Sequence, residues 1–146
     1  MHWRILAIGK PKLAYARAGV EEYAGRLRPF APVQLDFLKA SHREVESEVL
    51  RDRSAGLFRV TLDERGEQVD SRALAAKISA WEQSRAKGVA ILLGGADGHT
   101  AELRAESDWL WSISKLTLQH ELALVVVLEQ IYRAYTIKGN LPYHRD

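Results

Sequence analysis

No cysteine occurs among the 146 residues, which excludes disulfides and thiolate chemistry and is compatible with a reducing compartment. No stretch approaches the roughly 18 apolar residues of a membrane-spanning helix. The apolar run in MHWRILAIGK is too short for a signal peptide, so a cytoplasmic protein without a membrane partner is expected. The five histidines, His2, His42, His99, His120 and His144, form no HxxxH spacing, and a metal site is not expected. Three common signatures are missing as well: GxSxG, which presents a hydrolase serine; GxxxxGKS/T, which cradles nucleotide phosphates; and GxGxxG, which opens a dinucleotide-binding unit. With no repeats, linkers or low-complexity segments, residues 1–146 read as one domain around a single core.

What is present is ordinary globular composition, 47% hydrophobic and 27% charged. The 21 basic and 19 acidic residues leave a net charge of +2 with a pI near 9.0, which permits RNA binding without demanding it.

Strand-like and helix-like segments alternate along the chain. Residues 3–9 form a short apolar run that reads as a buried strand. Pro11 then opens a helix to about Phe30, with Leu13, Ala16, Val20, Tyr23 and Leu27 at helical spacing. Lys10, Lys12, Arg17, Arg26 and Arg28 beside it read as a solvated face. Residues 33–38 alternate as a second strand, and Ser41 with Glu44 reads as a capping box for a short helix with Val45, Val49 and Leu50 inward. Residues 57–62 are a third strand, closed by a turn at 63–66. Ser71 is expected to cap a helix with Leu74, Ile78 and Trp81 inward, ending at Gly88. Residues 89–93 are continuously apolar, suited to the middle of a parallel sheet, and run into Gly94, Gly95, Ala96, Asp97 and Gly98. A glycine pair there permits either close backbone approach to a ligand or a tight turn. Asp63 and Asp97 fit turn and cap roles better than acid chemistry, and Thr100 can cap a short helix. The alternation predicts an α/β fold, a mostly parallel sheet flanked by helices, with ligands at the carboxyl ends of its strands.

The last third holds three unlike pieces. Residues 109–118 fit a strand or extended loop. Residues 121–138 contain neither Gly nor Pro and predict a helix, in which Glu129 precedes Arg133 by four residues in the favourable order for an ion pair. This helix is apolar around most of its circumference, so it needs cover on two sides, and a second copy of the chain is the simplest cover. The tail, 139–146, is polar, and composition alone reads it as a frayed terminus. Yet it carries Asn140, Tyr143, His144 and Arg145 close together, a dense set of donors and stacking groups.

LAIGKPK, GVEEYAGRL, VTLDERG, LLGGADG, SISKLTLQH, LEQIYRA and PYHRD, in this order and at these separations, resemble the bacterial RlmH family of the SPOUT superfamily. The resemblance spans nearly the whole chain, with little to align over residues 40–55. It implies a homodimer that uses S-adenosylmethionine to methylate N3 of a pseudouridine in 23S rRNA, in the stem-loop at the ribosomal subunit interface. It also implies an α/β sheet whose C-terminal part is threaded as a trefoil knot, a topology that general rules of chain connection would not suggest. Carried over residue by residue, it implies cofactor contacts at Leu62, Gly94, Ile113, Ser114, Lys115, Leu116, Thr117 and Leu118. Family members usually read TxPH where this chain has Thr117, Leu118, Gln119 and His120, and loss of that proline is expected to loosen the loop or shift its first helical turn. Given the implied chemistry, the tail supplies the catalytic candidates: His144 as proton acceptor, Arg145 for an anion or phosphate, and Tyr143 for stacking on an unpaired base. The competing expectations are a non-catalytic RNA- or ribosome-binding dimer of the same fold, and a different small-molecule enzyme sharing the 94–98 loop.

Overall fold

In a computed structural model describing residues 1–145, strands and helices alternate: β1 (His2–Ile8), α1 (Ala14–Leu27), β2 (Val33–Leu38), α2 (Arg43–Arg53), β3 (Phe58–Glu67), α3 (Ser71–Gln83), β4 (Gly88–Leu93), α4 (Ala101–Ala105), β5 (Trp109–Trp111) and α5 (His120–Lys138). Asp146, the end of the tail singled out above, lies outside the described residues. The strands form one sheet in the order β2-β1-β4-β3-β5, and every pairing is parallel. All carboxyl ends therefore share one edge. β4 is buried at every position, which explains its unbroken apolar run.

Period-two alternation splits the interior into two layers. Trp3, Ile5 and Ala7 of β1 pack with Val20 and Leu27 of α1, Leu74 and Ile78 of α3, and Leu124, Leu128 and Ile131 of α5. Leu6 and Ile8 turn the other way, toward Leu50 of α2 and Leu103 of α4. The result is a three-layer sandwich with α5 between α1 and α3. Much of the cover that composition assigned to a second copy thus comes from this chain's own helices, although Leu122 and Val126 of α5 stay only half-buried.

Several local expectations are corrected. α1 begins at Ala14 rather than Pro11, because the Lys12 and Leu13 amides are taken by Glu121 Oε1 at 2.7 and 2.9 Å. The capping box at Ser41 does not form: α2 starts at Arg43, and Glu46, not Glu44, receives the Ser41 amide at 2.8 Å. That phase turns Val45 outward and places Glu46, Ser47 and Leu50 inside. Asp70 caps α3 by accepting from the Ala73 amide at 2.8 Å, leaving the Ser71 hydroxyl to donate to Gln130 at 2.7 Å. α3 ends at Gln83, the chain reverses through Arg85 at φ 62°, and Gly88 opens the next strand instead of closing the helix. The turn at 63–66 is an excursion inside β3, since Leu62 and Glu67 both pair with Trp111. Asp63 Oδ1 accepts from the Arg65 amide at 2.9 Å within it. Extended pairing after Trp109 stops at Trp111, where the chain leaves the sheet edge for the loop before α5.

Candidate active site

Because the sheet is parallel, the ends of β3, β4 and β5 open onto a common space. A cavity of about 830 Å³ lies there, lined by Leu62, Gly94, Ile113, Ser114, Leu116, Thr117 and Leu118. Of the cofactor contacts implied by the sequence resemblance, Lys115 alone is not part of the lining and stands exposed. Gly94 sits where a side chain would be crowded, since a Cβ there would lie 3.0 Å from His99 Cε1 and 3.3 Å from the Gly98 backbone. Gly98, at φ +71°, turns the loop back so that its amide donates to the Gly95 carbonyl at 3.1 Å.

The loop between β5 and α5 is held by its own polar groups. Ser112 donates to the Ser114 carbonyl at 3.0 Å, and the Leu116 amide donates to Ser114 Oγ at 2.9 Å. Gln119 stands at the N-cap of α5, where its side chain accepts from the Glu121 and Leu122 amides at 2.9 and 3.0 Å. The cap satisfies two amides of the first turn of α5. Amide hydrogen bonds from Leu13 and Lys12 hold the Glu121 carboxyl below its usual pKa range, against the opposing effect of burial. That clasp joins residues 109 apart, which no local pattern could reveal.

Sequence reasoning passed over His99, whose ring lines the cavity and is 4% exposed. Its Nε2 lies 3.1 Å from the Leu62 carbonyl, an acceptor only, so the proton sits on Nε2. Nδ1 is buried and makes no hydrogen bond of ordinary geometry, although the Leu92 backbone also acts on the ring. Burial pushes the imidazole pKa below its ordinary value despite the pull of Asp63, and the nearby Arg104 adds to the lowering. Arg104 Nη1 donates to the His99 carbonyl at 2.7 Å and lies 3.9 Å from Asp63 Oδ2. The one available signal was position, immediately after the glycine-rich loop.

Carboxylates outnumber cations around the cavity: Glu44, Asp63, Glu64, Asp97 and Glu102 face Arg43, Arg65 and Arg104. Ile113, Leu116, Leu118 and Ala123 supply apolar wall. The combination suits a ligand with a flat apolar part and a positive charge. Among the described residues, no three His, Asp or Glu side chains group to hold a metal ion.

The tail lies elsewhere on the chain. His144 and Arg145 line a second cavity of about 390 Å³ with Ser71, Arg72, Gln130 and Arg133. Gln130 is about 15 Å along α5 from His120 at the first cavity, taking about 1.5 Å per residue, and the two linings share no residue. Tyr143 is docked rather than free: its hydroxyl donates to Glu129 Oε2 at 2.7 Å and lies 3.3 Å from the Tyr23 hydroxyl. Its ring meets Tyr132 edge-on at 4.7 Å, with Arg133 over its face at 4.9 Å. Burial first, then the bonds to Tyr23 and Glu129, drives its pKa upward. A single chain therefore does not bring the tail candidates to the cofactor candidates.

A family model described as "Predicted SPOUT methyltransferase" matches residues 1–144. The chain belongs to this family. A protein of Thermus thermophilus named "Ribosomal RNA large subunit methyltransferase H" is 48% identical over 145 residues, covering 99% of each chain. One of the same name from Deinococcus deserti is 41% identical over 145 residues, covering 99% of this chain and 100% of that one. Among solved structures, a "probable methylase family protein" from Haemophilus influenzae Rd KW20 superposes with a TM-score of 0.59 at 13% identity, over 99% of this chain and 70% of that chain. A "Probable Methyltransferase" from Bordetella pertussis Tohama I gives 0.58 at 14% identity, over 91% and 95%. These two share the fold. For a SPOUT methyltransferase, the cavity at the ends of β3, β4 and β5 is where the chemistry of the donor set concentrates.

Proposed function

We propose that the protein is a homodimeric, S-adenosylmethionine-dependent methyltransferase of large-subunit ribosomal RNA. It acts in the cytoplasm on N3 of a pseudouridine in the 23S stem-loop at the subunit interface, with the assembled ribosome as substrate. The observation that carries this reading is the convergence of Leu62, Gly94 and the 113–118 segment on one cavity, in a chain matched from end to end by the methyltransferases named above. A trefoil-threaded C-terminal part is compatible with the strand order.

The cavity fits the cofactor on its own chemistry. Gly94 lets the end of β4 lie close against His99 and the Gly98 backbone at the cavity wall, apolar side chains suit an adenine ring, and the carboxylate excess suits a sulfonium and an ammonium. When bound, the cofactor supplies an electrophilic methyl group, which needs alignment with the attacking atom. N3 of the base is an imide nitrogen whose proton must leave before, or as, its lone pair attacks. His144 accepts that proton, and Arg145 stabilises the anion or holds a phosphate. Since the tail lies away from its own chain's cavity, the tail of one protomer closes over the cavity of the other, and neither subunit holds a complete site alone. The half-buried Leu122 and Val126 lie on the α5 face offered to the partner.

Titration calorimetry with S-adenosylmethionine, followed by transfer of labelled methyl groups to ribosomes, tests the reading. Removing residues 143–146 is expected to leave cofactor binding nearly intact and to abolish methylation. Cofactor binding by the intact chain without any methyl transfer would favour a non-catalytic RNA-binding dimer. Absence of binding would overturn the cofactor assignment.

A further inference from the structure

We infer that His99 is a positioning residue of the cofactor cavity, its Nε2–H holding the Leu62 carbonyl and its ring forming the wall against Gly94. The inference rests on reading that cavity as the S-adenosylmethionine site. Leu62 is the last β3 residue before the chain makes its excursion and returns to the same partner at Glu67. The next residues are thus without a regular ladder, and the carbonyl at their start needs a donor to fix its direction. His99 Nε2 supplies one at 3.1 Å. The same ring meets the end of β4, since a Cβ on Gly94 would approach Cε1 to 3.0 Å. One imidazole thereby sets the spacing between two of the three strand ends that form the cavity.

The main chain that carries the ring is held from several directions. Arg104 Nη1 binds the His99 carbonyl at 2.7 Å. The next amide, that of Thr100, donates to Ser47 Oγ of α2 at 3.0 Å, and Thr100 Oγ1 receives the Leu103 amide at 3.2 Å to cap α4. A side chain carried on a main chain that α2 and α4 both hold is a preorganised support for a binding wall. Burial favours its neutral form, which keeps a positive charge away from a cationic ligand, while the Leu62 carbonyl selects the tautomer with the proton on Nε2.

The test compares the wild type with His99→Leu and His99→Gln. Leucine fills the space without a donor, whereas the glutamine amide nitrogen reaches the position of Nε2. Calorimetric affinity for S-adenosylmethionine is expected to fall about tenfold in His99→Leu, as expected for loss of one buried hydrogen bond. It should return to within about threefold of wild type in His99→Gln, a rescue that simple filling of the core would not produce. In parallel, 15N spectra of the wild-type imidazole without cofactor should show the Nε2–H tautomer, a readout independent of any variant's folding. Wild-type affinity in His99→Leu, no recovery in His99→Gln, or an Nδ1–H tautomer would each overturn the assignment. Failure of the wild type to bind the cofactor would overturn it together with the cofactor reading, and the tautomer measurement separates that case from a wrong assignment of the Leu62 bond.

Discussion

Tyr143→Phe separates two roles for the tail tyrosine. Stacking on an unpaired base needs only the ring, which phenylalanine keeps, while docking of the tail on α5 needs the hydroxyl. That hydroxyl donates to Glu129 Oε2 at 2.7 Å. A hydrogen bond to a charged group contributes roughly 1.5–3 kcal/mol when well buried, but Tyr143 is only half-buried, so solvent screening reduces it. Glu129 Oε2 is not orphaned by the change, because Arg133 still binds it through Nε at 3.1 Å and Nη2 at 2.8 Å. The substitution should therefore cost about 1 kcal/mol, roughly a fivefold drop in the ratio of docked to undocked tail. Hydrogen exchange at residues 141–145 should quicken by that factor. Methyl transfer to ribosomes should fall severalfold, and S-adenosylmethionine affinity should stay unchanged. Exchange and turnover like those of the wild type would refute the docking role and return Tyr143 to stacking.

Four further outcomes are expected. The pKa of His99 is lowered by burial, so below its ordinary value of about 6.5 the unfolded chain binds a proton that the native one resists, and native stability is lost as pH falls from there toward the folded pKa. Asp63 and Arg104 are the charged groups acting on the ring; the melting temperature of His99→Gln should accordingly fall less than that of the wild type between about pH 6.5 and 5, and equal falls would contradict it. Gly94→Val puts a branched side chain where even a Cβ meets His99 Cε1 at 3.0 Å, so if the overpacking cost of about 1–3 kcal/mol falls on the bound state, calorimetry should show cofactor binding weakened by roughly 5- to 150-fold; unchanged affinity would place the cofactor elsewhere. Leu128 is fully buried, so Leu128→Ala should destabilise by about 2–5 kcal/mol and lower the melting temperature by about 6–15 °C. Val126→Asp, on the half-buried face, should instead shift sedimentation toward a folded monomer, and a dimer surviving that change would remove this face from the interface.

The alternation of a period-two and a 3.6-residue pattern was enough to predict a parallel α/β sheet, because β4 is apolar at every position and α3 shows Leu74, Ile78 and Trp81 on one face. The same reading put ligands at the carboxyl ends of the strands, since parallel strands share that edge whatever their order. Helix starts were less legible. A cap depends on which amides remain unpaired, and at α1 those of Lys12 and Leu13 were claimed by Glu121 from the far end of the chain. The excursion at 63–66 resembled a closing turn because its local chemistry, Asp63 on the Arg65 amide, is that of a turn; only pairing with Trp111 on both sides makes it part of β3. The cap that the Gln119 side chain provides for α5 is likewise set by which amides the fold leaves unpaired. His99 and the docking of Tyr143 were hidden for the same reason: their partners, Leu62 and Glu129, are brought to them by folding, and no spacing along the chain encodes that meeting. Residue types and periodicity determined the layers and the edge where ligands go, while the hydrogen bonds that shape the cavity and hold the tail were decided by which backbone groups the tertiary fold left unpaired.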